Sequence, residues 1–579
     1  MEEADLVIIG AGLWGLTTAH TYHRLHPSAK MLILDSAPSI GGPWAPERVF
    51  PGLRTNNLWG MFEHPDFPMD EKRFGVKRGE HLEARKMFEY LCAFAEWADI
   101  KQFLRLQTKV EVIEKDEDSK CWILHCASSS QVFDIRAKKL VIAVGNTNKA
   151  LLPDYPTSAT FQSPVMHARD FPTYYSHVAR PNTHTVVVGS GKSAWDVAYA
   201  CATQPSSTAT LLIRPDGNGP VWMTPSHVTP FGLWLEKLVH TRFFGFLSPC
   251  PWARTTGLEG WLRSFFHGTW LGRKIVPLFW HVLSEDAIAL NGLDAHPETK
   301  KLRPWRSAFE VGNALSIHNY PTSFFELVRS GTIKVLVDDI NALEAEKQVR
   351  LKSGTVLHAD AVVCATGWQK ALTFTFEPPA LQKQLGVPSS LPLTPKEESL
   401  IHEAEKTLYH AFPYLKERDT SRVAHPDASL RYARQQDPCG KIQPYRLYRF
   451  IAPPAYLQDR SIAFAGALHC LGTFPCAYIQ SMWIASYLDG TMALPESQTA
   501  VVQQTYRDSQ YCVLRGAMSY GHVLPDLVFD GLPYFDVLLG DLGLQGRRKG
   551  SEAREWMSGY GPQDYRALLD DVQVRVRKG

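Results

Sequence analysis

Two short glycine runs hold the chemistry that is easiest to read in this sequence. Gly10-Ala11-Gly12-Leu13-Trp14-Gly15 follows the apolar run Leu6 to Ile9, and Gly189-Ser190-Gly191-Lys192-Ser193-Ala194 follows Thr185 to Val188. In a GxGxxG turn the first glycine turns the chain tightly, the second lets a pyrophosphate approach the backbone, and the third packs helix on strand. Asp35 lies twenty residues beyond Gly15, where a carboxylate accepts hydrogen bonds from ribose hydroxyls. The interval of 25 residues from Gly10 to Asp35 recurs from Gly189 to Arg214. A guanidinium in the acid's place removes repulsion toward a 2′-phosphate and offers a forked donor, which favours NADPH over NADH at the second turn. The competing reading is a surface arginine at a strand end. Lys192 and Ser193 are placed to touch nicotinamide phosphates, with a solvated Lys192 as the alternative, and Ala194 replaces the third glycine as the fingerprint allows. One flavin site and one nicotinamide site would make a hydride relay.

The elements around these turns follow from apolar runs. Leu6 to Ile9 and Met31 to Leu34 read as strands flanking a helix over Leu16 to Leu25, and Thr185 to Val188 and Ala209 to Ile213 flank a helical stretch ending near Cys201. With 579 residues, 45% hydrophobic and 21% charged, the chain has room for two or three domains. Its 61 basic and 59 acidic residues are spread along the sequence, which argues against a nucleic-acid partner. The ten cysteines are scattered, and the nearest pairs, Cys121/Cys126 and Cys470/Cys476, fit neither a CxxC redox motif nor a zinc site; no metal is expected. Acids at Glu2, Glu3 and Asp5 stand where a secretory signal would be basic, so a cytoplasmic protein is expected, and no stretch approaches the ~20 apolar residues of a spanning helix. Seven of sixteen tryptophans fall between Trp222 and Trp305. That region reads as core, as a cap over a large apolar substrate, or as a face for peripheral membrane contact.

Several further motifs carry a resemblance. Gly41-Gly42-Pro43-Trp44 resembles the GGxW of class B flavoprotein monooxygenases, and the stretch from Thr55-Asn56-Asn57 to Asp66-Phe67-Pro68 is similar to one in flavin-containing monooxygenases. Phe161 to Phe171 resembles the family's FxGxxxHxxx(Y/F) linker, with Ser163 for the glycine and His167 as a positioning residue. Gly189 to Asp196 resembles its GxGxSxxD turn, and Ala365-Thr366-Gly367-Trp368 its ATG-aromatic crossover; an earlier crossover, Ala143-Val144-Gly145-Asn146, has valine for threonine. Ala463 to Gly466, with Pro475 and Gln480, looks like the final flavin-contacting strand and helix.

The resemblance runs from about residue 6 to 500, and weakly through Tyr560 to Arg566. It implies an α/β protein of two Rossmann-like domains, with the NADPH domain, 161–334, inserted into a discontinuous FAD domain, 1–160 and 335–500. An aromatic-rich insertion would span 220–305, and a C-terminal extension, 501–579, would pack back on the surface. FAD would be bound by Gly10, Gly12, Trp14, Gly15, Asp35, Gly42, Trp44, Asn56 and Gln480, and NADPH by Gly189, Gly191, Lys192, Ser193 and Arg214, with Thr366 and Gly367 of the crossover also contacting cofactor. By resemblance, NADPH reduces FAD, O2 is captured as a flavin C4a-(hydro)peroxide, and one oxygen atom passes to a small organic substrate. Asn56 is the catalytic candidate, since a carboxamide donates to oxygen while accepting from neighbours; its alternative is a turn asparagine. The departures resemble biosynthetic enzymes of microbial and fungal secondary metabolism. Phe171-Pro172 is similar to a Baeyer-Villiger linker ending, which keeps ketone oxidation as an alternative. A flavin reductase or disulfide oxidoreductase and a non-catalytic nucleotide sensor are the remaining rivals.

Overall fold

The computed structural model describes residues 1–215, 217–229, 232–310, 312, 315–369, 371–416, 442–516 and 523–576. The N-terminal apolar run lies in the strand Glu2–Ile9, which pairs in parallel with Met31–Leu34 on one side and Val132–Ile142 on the other. Central parallel strands are covered on both faces, which is why Leu6 to Ile9 are apolar without alternation. The sheet runs in the order Thr375–Glu377, Lys109–Lys115, Trp122–Ala127, Val132–Ile142, Glu2–Ile9, Met31–Leu34, Leu104–Arg105, and Ile462–Phe464 also pairs with Val132–Ile142. Its parallel part holds the first glycine turn, and Lys109 to Ile142 form an antiparallel meander.

The second sheet is wholly parallel, in the order Ile333–Val337, Thr208–Ile213, His184–Val188, Ala361–Cys364, Val165–His167. Each sheet therefore has its glycine-turn strand inside it, the doubly wound arrangement expected of two dinucleotide-binding units. Sheet membership moves the boundary expected at 335. Ile333–Val337 and Ala361–Cys364 both belong to the second sheet, and the antiparallel strands Ile340–Leu343, Gln348–Leu351 and Val356–His358 place Ile340, Leu343 and Val349 in one core with Val186 and Val188. The chain returns to the first sheet at Thr375–Glu377. Two of the five strands of this sheet are supplied after the insertion, which composition does not reveal.

Two crossovers join the units side by side. Ala150 bridges Trp368, Leu151 N donates to Gly367 O at 3.1 Å, and Gln369 N donates to Lys149 O at 2.8 Å. Ser163 needs no glycine-like backbone: its φ is not in the left-handed region, and its hydroxyl donates to Ala359 O at 2.6 Å.

The insertion is anchored by the parallel pair Trp222–Thr224 and Leu315–Ile317, with the helices Leu235–Val239, Gly257–Arg263 and Gly272–Leu290 between them. Its inner side is core: Trp280 is buried and donates to Leu247 O at 2.8 Å, and Arg263 donates to the carbonyls of Gly245, Ser248 and Cys250. The C-terminal part does not coat the surface as expected. Tyr534, Leu538, Tyr560, Tyr565 and Leu568 are buried in the same apolar cluster as the helix Thr473–Leu488, so this part completes the main core. Among the described residues no helix is long and apolar enough to cross a membrane.

Candidate active site

The first glycine turn is shaped by contacts that exclude side chains. A Cβ on Gly10, whose φ is +111°, would lie 2.4 Å from Ala143 O, and one on Gly15 would lie 1.8 Å from Gly10 O. Gly12 is the N-cap of the helix Leu13–Leu25 and supplies no side-chain cap, so the first N–H groups of that helix are offered to a ligand. Facing it is Gly42, at which a Cβ would stand 3.4 Å from the Gly12 Cα, while Gly41 N donates to Ala11 O at 2.9 Å. The result is a backbone-walled slot at a helix N-terminus, where the N–H groups favour an anion. Asp35 stands beside it, its Oδ2 accepting from Ala11 N at 2.7 Å and its Oδ1 from Ala37 N at 2.9 Å. Burial pushes its carboxyl above the ordinary range, opposed by these two donors. The Trp14 ring lies against Gly466, where a Cβ would meet it at 2.5 Å. Trp44 lies edge-on to Phe62, which lies edge-on to Phe474 at the start of the helix Thr473–Leu488.

The second turn repeats this geometry. A Cβ on Gly189, with φ +139°, would lie 2.5 Å from Ala365 O, and Gly191 caps the helix Lys192–Ala202 with open space before it and no side-chain cap. Ser193 is exposed in the first helical turn, and Ala194 is buried. The register of Arg214 needs correction. Ile9 pairs with Leu34, so Asp35 follows the paired residue, whereas Val188 pairs with Leu212 and the residue that follows is Ile213. Buried Ile213 thus holds the place of Asp35, and exposed Arg214 lies one position farther out. The acid is still absent and the guanidinium still ends the strand.

Three expected ligand contacts are engaged within the protein instead. The Lys192 side chain is 16% exposed, paired with Asp196, and its Nζ sits 4.6 Å from the Tyr320 ring centroid, so it is held away from the slot. The Thr366 hydroxyl donates to Leu151 O at 2.5 Å, inside the crossover, beside Gly367 with φ +87°. Gln480 is fully buried: its Oε1 accepts from Gly466 N at 3.0 Å and its Nε2 donates to Tyr534 Oη at 2.7 Å. It holds the flavin-side backbone without reaching open space. His167 is buried at the same junction, with Nδ1 accepting from Arg169 N and its ring edge-on to Trp368.

Asn56 lies in the strand Arg54–Leu58, paired antiparallel with His81–Glu83, and not in a turn. Its Oδ1 accepts from Ser316 Oγ at 3.3 Å. The neighbouring Asn57 Nδ2 donates to Glu236 Oε1 at 2.5 Å, and Asn319 Nδ2 donates to Arg54 O at 3.1 Å and Thr55 O at 3.0 Å. Glu236, Ser316 and Asn319 were not singled out in the sequence, because they lie 179 to 265 residues away from their partners and form no local motif. The Asp66-Phe67-Pro68 signature serves as a knot: Asp66 accepts from Tyr478 Oη and from Ala567 N, and Tyr90 Oη donates to Phe67 O at 2.5 Å. Among the described residues, no group of His, Cys, Asp and Glu is arranged to hold a metal.

Comparison with known proteins agrees with this geometry. A family model described as pyridine nucleotide-disulphide oxidoreductase matches residues 7–230. The FAD-dependent monooxygenase resA of Aspergillus sclerotiorum is 32% identical over 589 residues, covering 98% of this chain and 97% of the relative. The chain belongs to the FAD-dependent monooxygenases. The FAD-dependent monooxygenase DEP4 of Alternaria brassicicola is 28% identical, covering 99% of the chain and 95% of the relative. The crystal structure of cyclohexanone monooxygenase from Rhodococcus bound to NADP+ shares the fold, with a TM-score of 0.61 at 16% identity, covering 94% of this chain and 98% of that one. As a member of that family the chain uses FAD, and the helices after both glycine turns begin without a side-chain cap. Burial and a hydrogen bond with Cys470 push the Cys476 thiol well up, away from the thiolate that disulfide exchange uses.

Proposed function

We propose that FAD occupies the first slot and NADPH the second, with Arg214 at the 2′-phosphate, and that Asn56 touches the reacting oxygen as a small organic molecule of secondary metabolism is oxygenated. Bound FAD supplies the electron transfer and oxygen activation that no side chain can provide. The observation that carries the Asn56 role is its half-used carboxamide. Ser316 donates to Oδ1 at 3.3 Å, which leaves Nδ2 to act as the donor, and a donor at developing negative charge is worth about 10²-fold or more in rate. The test follows flavin absorbance, NADPH and O2 consumption, and product for the purified protein with candidate substrates. Asn56→Ala is expected to keep consuming NADPH while product per NADPH falls about 10²-fold and hydrogen peroxide rises. Unchanged product per NADPH would remove Asn56 from the chemistry. Ester products from ketones would assign the Baeyer-Villiger reading.

A second observation supports peripheral contact with an anionic membrane surface. On the outer side of the insertion Leu258 is 62%, Trp261 64%, Trp270 70% and Leu278 59% exposed, next to Leu271 and Val282. Residues 260–284 contain no acid, and Arg273 and Lys274 lie on the same hairpin. Exposed tryptophans beside cations suit a headgroup layer. Flotation with phosphatidylglycerol-containing vesicles should carry the protein up, phosphatidylcholine alone should do so less, and Trp261→Ser with Trp270→Ser should abolish it. A protein that stays at the bottom with every vesicle, or one that sediments as a dimer through this face, would refute the lipid reading.

A further inference from the structure

The insertion reaches the asparagine strand at three side chains. Glu236, on the helix Leu235–Val239, accepts from Asn57 Nδ2; Ser316 donates to Asn56; Asn319 donates to the carbonyls of Arg54 and Thr55. All three belong to the polypeptide between the second sheet's strands, while Arg54–Leu58 belongs to the first unit. A buried carboxyl is costly unless it is bonded, and Glu236 is buried with Asn57, the Leu58 backbone and Lys237, on its own helix, acting on it. The next turn presents His240, whose Nδ1 bonds the Glu236 carbonyl at 2.8 Å and whose pKa is lowered by burial, so it adds no positive charge. Asn57 is tied to Glu236 and the adjacent Asn56 to Ser316, so both side chains of this strand are held by the insertion.

We propose that Glu236, assisted by Ser316 and Asn319, is a positioning residue that aims the Asn56 carboxamide, so that the inserted unit completes the oxygen site of the first unit. This rests on the reading of Asn56 as the group that meets the reacting oxygen. Replacing Glu236 by leucine leaves Asn57 Nδ2 without its acceptor, and the strand then loses its aim more than its fold. Glutamine keeps an acceptor oxygen in the same place.

The test is hydrogen exchange read by mass spectrometry on the FAD-loaded protein without NADPH, together with product and peroxide per NADPH. In Glu236→Leu the peptide spanning 54–58 should exchange about tenfold faster, as the loss of roughly 1.4 kcal/mol of local bonding implies. Peptides of the second sheet should be unchanged, and peroxide per NADPH should rise severalfold. Glu236→Gln should stay near wild type in both measurements. Glu236→Gln should also flatten the pH dependence of melting. Burial pushes the Glu236 pKa up to about 8, so the folded state favours the neutral acid. That contribution is full below the unfolded glutamate value and is lost as pH rises through about 8, giving wild type a decline over that window that the amide lacks. Unchanged exchange at 54–58 in Glu236→Leu overturns the clamp. Faster exchange with unchanged product per NADPH upholds the clamp and refutes the role of Asn56. If Glu236→Leu does not fold, Ser316→Ala and Asn319→Ala serve instead, each expected to raise exchange of the same peptide about threefold; no rise in either also overturns the clamp.

Discussion

Arg214 shows how much one residue of register matters. It ends the strand Thr208–Ile213 beyond buried Ile213, and the site where an acid would repel a 2′-phosphate is aliphatic. Arg214→Ala is expected to raise the KM for NADPH about tenfold while leaving that for NADH nearly unchanged, measured by steady-state kinetics with both. Equal KM changes would mean that the guanidinium does not recognise the phosphate. At the same scale, the engaged side chains of Lys192, Thr366 and Gln480 separate residues that stand near a cofactor from those that hold its walls. Asp196 is four residues from Lys192 on the same helix, whereas the partners of Thr366 and Gln480, Leu151 and Tyr534, are brought up only by the fold.

The glycine turns make a prediction at the level of the element, because they differ in the room around each glycine. A methyl on Gly15 would collide with Gly10 O at 1.8 Å, forcing the helix Leu13–Leu25 off its strand, whereas the nearest atom to a methyl on Gly12 is the Gly42 Cα at 3.9 Å. Gly15→Ala should cost about 1–3 kcal/mol and lose FAD, while Gly12→Ala should melt like wild type without the flavin and bind FAD more weakly. Melting of flavin-free protein and flavin absorbance per chain distinguish the two, and equal melting points would contradict the packing role of Gly15. These strand-turn-helix units were legible because each is a contiguous run with one period and one turn. The boundary at 335 was not, since the strands Ile333–Val337 and Ala361–Cys364 belong to the second unit only by pairing with Thr208–Ile213 and His184–Val188.

Over the whole molecule the C-terminal part closes the core. Leu568, Leu569 and Val572 are buried, and Ala567 N and Arg566 Nε bind Asp66 and Pro65 in the first unit. A chain ending at Tyr565 would give up roughly 5–8 kcal/mol of apolar burial, comparable with the net stability of a domain, so it should be recovered mostly insoluble or melt far below the full chain. A truncated protein with an unchanged melting point would show that this segment is peripheral. The amino-acid sequence by itself determined the two nucleotide turns, their order and the family, because each is written in neighbouring residues whose backbone requirements are local. Only the tertiary structure decided which unit supplies each outer strand, which near-site side chains are already engaged, and that Glu236, Ser316 and Asn319 hold the Asn56 strand. Those facts depend on contacts between distant residues, and such contacts leave no spacing to read.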